Sequence, residues 1–275
     1  MSAEPSTGDH IPEDDIKMTI WEHLAELRTR FVRAAIAVLI GASVAWAYKE
    51  RLLEWLQKPW ETQWNARHLP GKPELQTLGP ADVFVNYLQM SLIAGVIVAV
   101  PVIFYQLWGF ISPGLYRKEK RFIIPFVVFS SGLFLSGVAF AYYVAFPFFF
   151  GYMFSLLGPL GSSEGATVLT QRPTLEFYLD FVTHMLLGFG FVFEMPLFIC
   201  FLAYAGIVTP KQLWKFSRWA IILSFALGAV ITPGPEISSQ IAVSSALVGL
   251  YFLSVGVSFI VAKKRDEPEE EKSED

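Results

Sequence analysis

Leu92-Ile93-Ala94-Gly95-Val96-Ile97-Val98-Ala99-Val100 sits inside an apolar run that reaches from about 84 to 108 without one charged residue. Roughly 17–25 apolar residues are enough to cross a bilayer. Lipid offers the backbone no hydrogen-bond partners, so a run of this kind has to be helical. Working outward, five further runs appear at about 31–49, 122–149, 176–206, 216–231 and 237–262. Of 275 residues, 53% are hydrophobic and only 17% charged, with mean hydropathy +0.45, too apolar for a soluble domain. The expected fold class is an all-α integral membrane protein with six transmembrane helices.

Basic residues resist translocation, so their distribution sets orientation. With the N-terminus inside, the inner segments carry fifteen Lys and Arg and the outer segments six. Five of those six fall in one longer loop. The expectation is N-in and C-in. Residues 1–30 are polar and carry seven acids, so no cleavable signal peptide is expected and the first span would serve as its own insertion signal. Trp46, Trp108, Trp214 and Trp219 fall at expected span ends, where an amphipathic ring prefers to sit. Net charge is −4, mostly from acidic termini, which implies no nucleic-acid partner. The lone Cys200 forms no internal disulfide.

Three regions are expected. Residues 1–18 form a disordered acidic N-terminus, 19–262 the membrane domain, and 263–275 a disordered acidic tail. Ahead of the first span, Thr19 and Glu22 have capping-box spacing. Ile20, Leu24, Leu27 and Phe31 then mark one apolar stripe, with Glu22, Glu26 and Arg30 opposite. The pattern predicts an amphipathic helix over 19–30 lying on the membrane. An i,i+4 pair of Glu26 with Arg30 fits the same spacing. The outer segment 50–82 reads as a cap loop: an amphipathic piece stopped by Pro59, then Pro70, Gly71 and Pro73. Pro101, Pro125, Pro147 and Pro196 are expected to kink their spans. The fifth span, about 16 residues, is short for a bilayer. No internal repeat of the transporter kind is present.

Two charged stretches fall on the same side of the membrane: His23-Leu24-Ala25-Glu26-Leu27-Arg28, and Ser112-Pro113-Gly114-Leu115-Tyr116-Arg117-Lys118-Glu119-Lys120-Arg121. Each sets one carboxylate among bases and offers an acceptor for a cationic ligand. Glu194, in Phe193-Glu194-Met195-Pro196, stands near mid-membrane, where an ionised carboxylate costs at least ~3 kcal/mol. It reads as a functional polar contact or proton site, or as a protonated structural acid. Glu176, Asp180 and His184 share one helix face; a wet outer helix end accounts for them better than a metal site. Ser238, Ser239, Gln240, Ser244 and Ser245 open the sixth span. Small and amide side chains there suit packing within the bundle or docking of another membrane helix. No GxxxxGK[ST], HExxH or GxSxG motif occurs, so neither an enzyme nor a cofactor or metal site is expected.

Taken together the motifs resemble those of the TatC family, the multispanning component of the twin-arginine protein translocase. They are His23-Leu24-x-Glu26-Leu27-Arg28-x-Arg30, Pro101-Val102-x-x-Tyr105-Gln106-x-Trp108-x-Phe110, Pro113-x-Leu115-Tyr116-x-x-Glu119-x-Arg121, Phe140-Ala141-Tyr142, Phe193-Glu194-x-Pro196, Gly206-Ile207, and Thr232-Pro233 with Ser239-Gln240. The resemblance covers nearly all of 19–262 and implies a concave, glove-like bundle. It implies a receptor for the twin-arginine signal peptide of folded proteins, working by the proton gradient at the inner membrane. Partners implied are single-span subunits of the TatA and TatB kinds, further copies of the chain, and membrane lipid. Glu26, Leu27, Arg28, Phe110, Glu119 and Arg121 would form the signal-peptide site, Glu194 the intramembrane contact, and Ser239, Gln240 and Ser244 the partner-docking face. One departure is the outer turn Thr232-Pro233-Gly234-Pro235-Glu236, where the family usually has Thr-Pro-Pro-Asp. The alternative is a proton-coupled small-solute transporter using Glu194.

Overall fold

The computed structural model describes residues 20–69, 71–111, 123–159, 168–169, 172–204, 206–231 and 237–270. The expected disorder of 1–18, the cap at Thr19, the inner segment with Glu119 and Arg121, and the outer turn 232–236 lie outside the described residues.

α1 (Ile20–Ala47) is one helix of 28 residues. The expected surface helix and first span are therefore continuous, because no Gly or Pro interrupts the chain between 20 and 40 and a nucleated helix propagates at little cost. α1 runs antiparallel along α3 (Asp82–Ile111). Their backbones nearly touch where Gly41 meets Gly95: a Cβ on Gly95 would collide with Ala42 N and Val38 O. Small residues permit this approach in lipid, where close van der Waals packing has to hold helices together.

The outer segment is not the loop expected of it. α2 (Lys49–Ala66) passes straight through Pro59. A proline removes the N–H that would bond the carbonyl four residues back, here Trp55. The hydroxyl of Tyr142 donates to that carbonyl at 2.7 Å, and Tyr178 donates to Leu56 O at 2.8 Å. The missing backbone donor is replaced by a side chain from another element, so the helix survives its proline. The Trp55 and Tyr142 rings also stack with centroids 4.0 Å apart.

The third span comprises α4 (Ile123–Phe140), a π-helical segment Ala141–Ala145 and α5 (Phe146–Ser155). Pro147 follows the wide turn directly; a π-bulge is one way a helix absorbs a lost donor. The fourth span is α6 (Leu175–Phe193) and α7 (Met195–Tyr204), broken at Glu194. Pro196 is the second residue of α7, where an N–H would be unsatisfied anyway. Gly206, at φ 73°, ends this stretch: its N–H bonds Ala203 O and the Ile207 N–H bonds Leu202 O, a Schellman closure.

α8 (Pro210–Ile231) has 22 residues, longer than the 16 expected, because its basic first turns are helical too. Gln212 and Thr209 cap it reciprocally. α9 runs from Ile237 to Glu270, so the helix continues past 263 into the acidic tail read as disordered; extending a formed helix costs little. A two-residue antiparallel ladder, β1 (Gly158–Pro159) with β2 (Val168–Leu169), lies between α5 and α6. Leu175 N–H to Gln76 O, 2.7 Å, ties the outer segment to the start of α6.

Among the described residues, four stretches are long and apolar enough to cross a membrane by length and composition: Trp21–Ala47, Asp82–Ile111, Ile124–Ser155 and Leu175–Ala203. α1 packs on α3, α3, α4 and α6 pack on one another, and both α7 and α8 pack on α9. Apolar side chains on α1 (Phe31, Ile36, Leu39, Ile40) and α8 (Ile222, Leu223) remain exposed, as lipid-facing surfaces do. The largest core, with Trp60, Phe146, Phe154, Tyr178 and Phe189, binds α2 to the π segment, α5 and α6.

Candidate functional site

At the start of α1 the helix turns its polar face inward. Leu24, Leu27 and Phe31 are exposed, whereas Glu26 and Arg30 retain only about a fifth of their side-chain exposure, 20% and 22%. The i,i+4 spacing is used: Arg30 Nε donates to Glu26 Oε1 at 2.9 Å and Nη2 donates to the same oxygen. The guanidinium lies over Gly109 near the end of α3, where a Cβ would collide with it. One turn further out, His23 stacks on Phe110 with centroids 4.3 Å apart. α3 therefore supplies a bare patch for Arg30 and a ring for His23, and these contacts fix the first turns of α1.

Two acceptors on α1 and α3 are unspent. Among the described residues, Glu26 Oε2 and Gln106 Oε1 are buried without a hydrogen-bond partner. Gln106 lies three residues before Gly109, hence on the same side of α3. Unpaired buried acceptors carry a desolvation cost of about 1–3 kcal/mol each, which a multi-donor ligand would relieve. Leu27 and Arg28 are exposed beside this junction. Glu119 and Arg121 belong to the segment following α3, outside the described residues.

The second polar constellation is intramembrane. Glu194 occupies the break between α6 and α7, ten residues from Tyr204, or ~15 Å at 1.5 Å per residue. Its carboxyl meets the Ser130 hydroxyl and the Phe134 backbone on α4. The Trp108 indole N–H donates to the same Ser130 hydroxyl at 3.1 Å. Trp108 is thus buried between helices rather than standing at the lipid interface as expected. Glu194 Oε1 is buried and unpartnered.

The serines in the first turns of α9 divide. Ser244 is fully buried, and a Cβ on Gly228 of α8 would clash with its hydroxyl. It serves contact between α8 and α9. Gln240 Nε2 donates to Phe225 O on α8 at 3.2 Å. Ser239 lies in the first turn of α9. In the first half of α6, His184 pairs with Asp180 at 3.2 Å on an exposed face. No metal-ligating cluster is present among the described residues.

The sequence reading missed His23, Gln106 and Ser130 as parts of these sites. His23 and Gln106 were legible only as members of the motifs they interrupt. Ser130 carries no local signal at all, since its partners come from α3 and the α6–α7 break.

The family model for the Sec-independent protein translocase protein TatC matches residues 22–245. TatC of Desulforapulum autotrophicum is 40% identical over 261 residues, spanning 95% of this chain and 92% of its own length. TatC of Aquifex aeolicus is 35% identical over 254 residues, spanning 91% and 98%. A crystal structure of the twin-arginine translocase receptor TatC aligns with TM-score 0.67 at 34% identity, over 87% of this chain and 99% of that one. A second, in the detergent DDM, aligns with TM-score 0.69 at 35% identity, over 86% and 99%. The chain therefore belongs to the TatC family, a core component of the Sec-independent protein translocase.

Proposed function

We propose that this chain is the receptor for twin-arginine signal peptides, with six spans and both termini cytoplasmic. The observation that carries the reading is Glu26 Oε2, a buried acceptor without a partner among the described residues, on the turn of α1 that Arg30 fixes against α3; Gln106 Oε1 on α3 is a second such acceptor. An arginine presents a planar fork of donors that a carboxylate meets with two parallel hydrogen bonds; a lysine ammonium does not. Glu119, on the segment that follows α3, supplies a second carboxylate, so two consecutive arginines each find one. Leu27, Arg28 and Phe110 border the same place, and Arg121 follows Glu119 by two residues in the chain.

Exposed ion pairs contribute only ~0–1 kcal/mol each. The carboxylates therefore supply selectivity, while the apolar part of the signal peptide, lying against the bundle, supplies most of the affinity. The fifteen-to-six distribution of basic residues supports the orientation, placing the site on the side where cargo is made. Single-span subunits dock at the outer end of α9 near Ser239 and Gln240, and Glu194 gives inserted peptide or partner a polar contact. The membrane's proton gradient, rather than nucleotide, drives transport.

A twin-arginine peptide with a photocrosslinker beside its arginine pair tests the location. Labelling of the first turns of α1 and the end of α3 is expected. Labelling confined to α8 and α9 would contradict it.

A further inference from the structure

We propose that the basic groove on the first turns of α8 binds the headgroup phosphate of an anionic phospholipid. The groove has a volume of about 570 Å³ and is lined by Gln212, Lys215, Phe216, Arg218, Trp219 and Ile222. Two cations and an amide stand beside two aromatic rings and an isoleucine, the mixed surface that a charged headgroup with attached acyl chains would meet. The Gln212 carboxamide oxygen is committed to the Thr209 N–H, which leaves its NH2 as a donor toward the groove.

Lys215 and Arg218 are exposed and have no ion pair among the described residues. Their own stretch of sequence offers them almost nothing to pair with. Between Glu194 and Asp266 the single acid is Glu236, beyond the opposite end of α8. The neighbouring helix does not supply one either. Bonds from Gln240 to Phe225 and from Tyr251 to Leu213 set the antiparallel register of α9 on α8, and that register carries Asp266 past the first residue of α8.

Depth makes the lack of a counter-ion among the described residues consequential. Beyond Arg218, α8 has thirteen residues, 219–231, or ~20 Å, against a hydrocarbon core of ~30 Å. Lys215 and Arg218 are thus held at the boundary between headgroups and hydrocarbon, where an uncompensated charge is costly. Trp219, exposed beside them, is an aromatic suited to that boundary. The phosphate of the surrounding lipid is the anion within reach, and bringing it into the groove neutralises both cations.

The test uses the full chain in phosphatidylcholine vesicles with trace spin-labelled phosphatidylglycerol or spin-labelled phosphatidylcholine, measuring relative association from the motionally restricted fraction. Preference for phosphatidylglycerol is expected, falling about fivefold on Lys215→Gln or Arg218→Gln and roughly thirtyfold in the double variant. Lys211→Gln, which removes a charge outside the groove, should change it less than about twofold. An equal loss in Lys211→Gln would overturn the site in favour of diffuse attraction. Displacement of the labelled lipid by millimolar inorganic phosphate would show a soluble-anion site and overturn the lipid assignment. If the double variant does not fold, the two single variants decide alone. The outcome is independent of the signal-peptide reading, since no peptide is present.

Discussion

Arg30 occupies the space that a side chain on Gly109 would fill, and from there it holds one oxygen of Glu26. The glycine in α3 thereby sets the position of a carboxylate on α1. Gly109→Ala should push the guanidinium aside. Its far end moves easily, so unfolding stability should change by less than ~1 kcal/mol, below the usual overpacking range. Arg-selective peptide binding should fall severalfold all the same. Unchanged selectivity would mean that Arg30 does not position Glu26.

Gly95→Ala is the contrasting case. The added methyl meets backbone of α1 at Val38 and Ala42, which cannot rotate away. A loss of about 1–3 kcal/mol or more is expected, read as a lower melting temperature in detergent and as loosened pairing of α1 with α3.

Tyr142→Phe keeps the ring against Trp55 but removes the donor to its carbonyl. A cost of ~1 kcal/mol is expected. Pro59→Ala restores a backbone N–H for that carbonyl, so it should rescue much of the loss. Purely additive effects in the double variant would show that Tyr142 does not replace the proline's missing donor.

Ser130 joins Trp108 to Glu194. A double-mutant cycle of Ser130→Ala with Glu194→Gln, read by unfolding in detergent, should give a coupling of roughly 0.6 kcal/mol, the average for polar pairs between membrane helices, and at most about 1.7 kcal/mol. Zero coupling would separate the two residues.

Much of this architecture is legible in the chain because lipid leaves an apolar run no option but to be helical. What escaped are effects that depend on a second element. Pro59 read as a stop, since its replacement donor, Tyr142, lies in a different span. The contact of Ser244 with Gly228 was not legible, because nothing in the sequence around Ser244 says that Gly228 stands opposite. Trp108 read as an interfacial anchor, yet Phe126 and Phe201 enclose it, with ring centroids 4.8 and 5.2 Å away. At the site, the Glu26–Arg30 pair follows from i,i+4 spacing, whereas the unspent acceptor on Gln106 appears only once α3 is laid against α1. Family membership, finally, replaces the solute-transporter alternative built on Glu194.

The most direct measurement is binding of a labelled twin-arginine signal peptide and its Lys-Lys counterpart to the purified chain and to the Glu26→Ala plus Glu119→Ala variant. The account predicts that the wild type prefers the Arg-Arg peptide and that the variant binds both alike, with much of the total affinity retained through the apolar segment. Equal binding of both peptides by the wild type, or an Arg-Arg preference that survives in the variant, would contradict it.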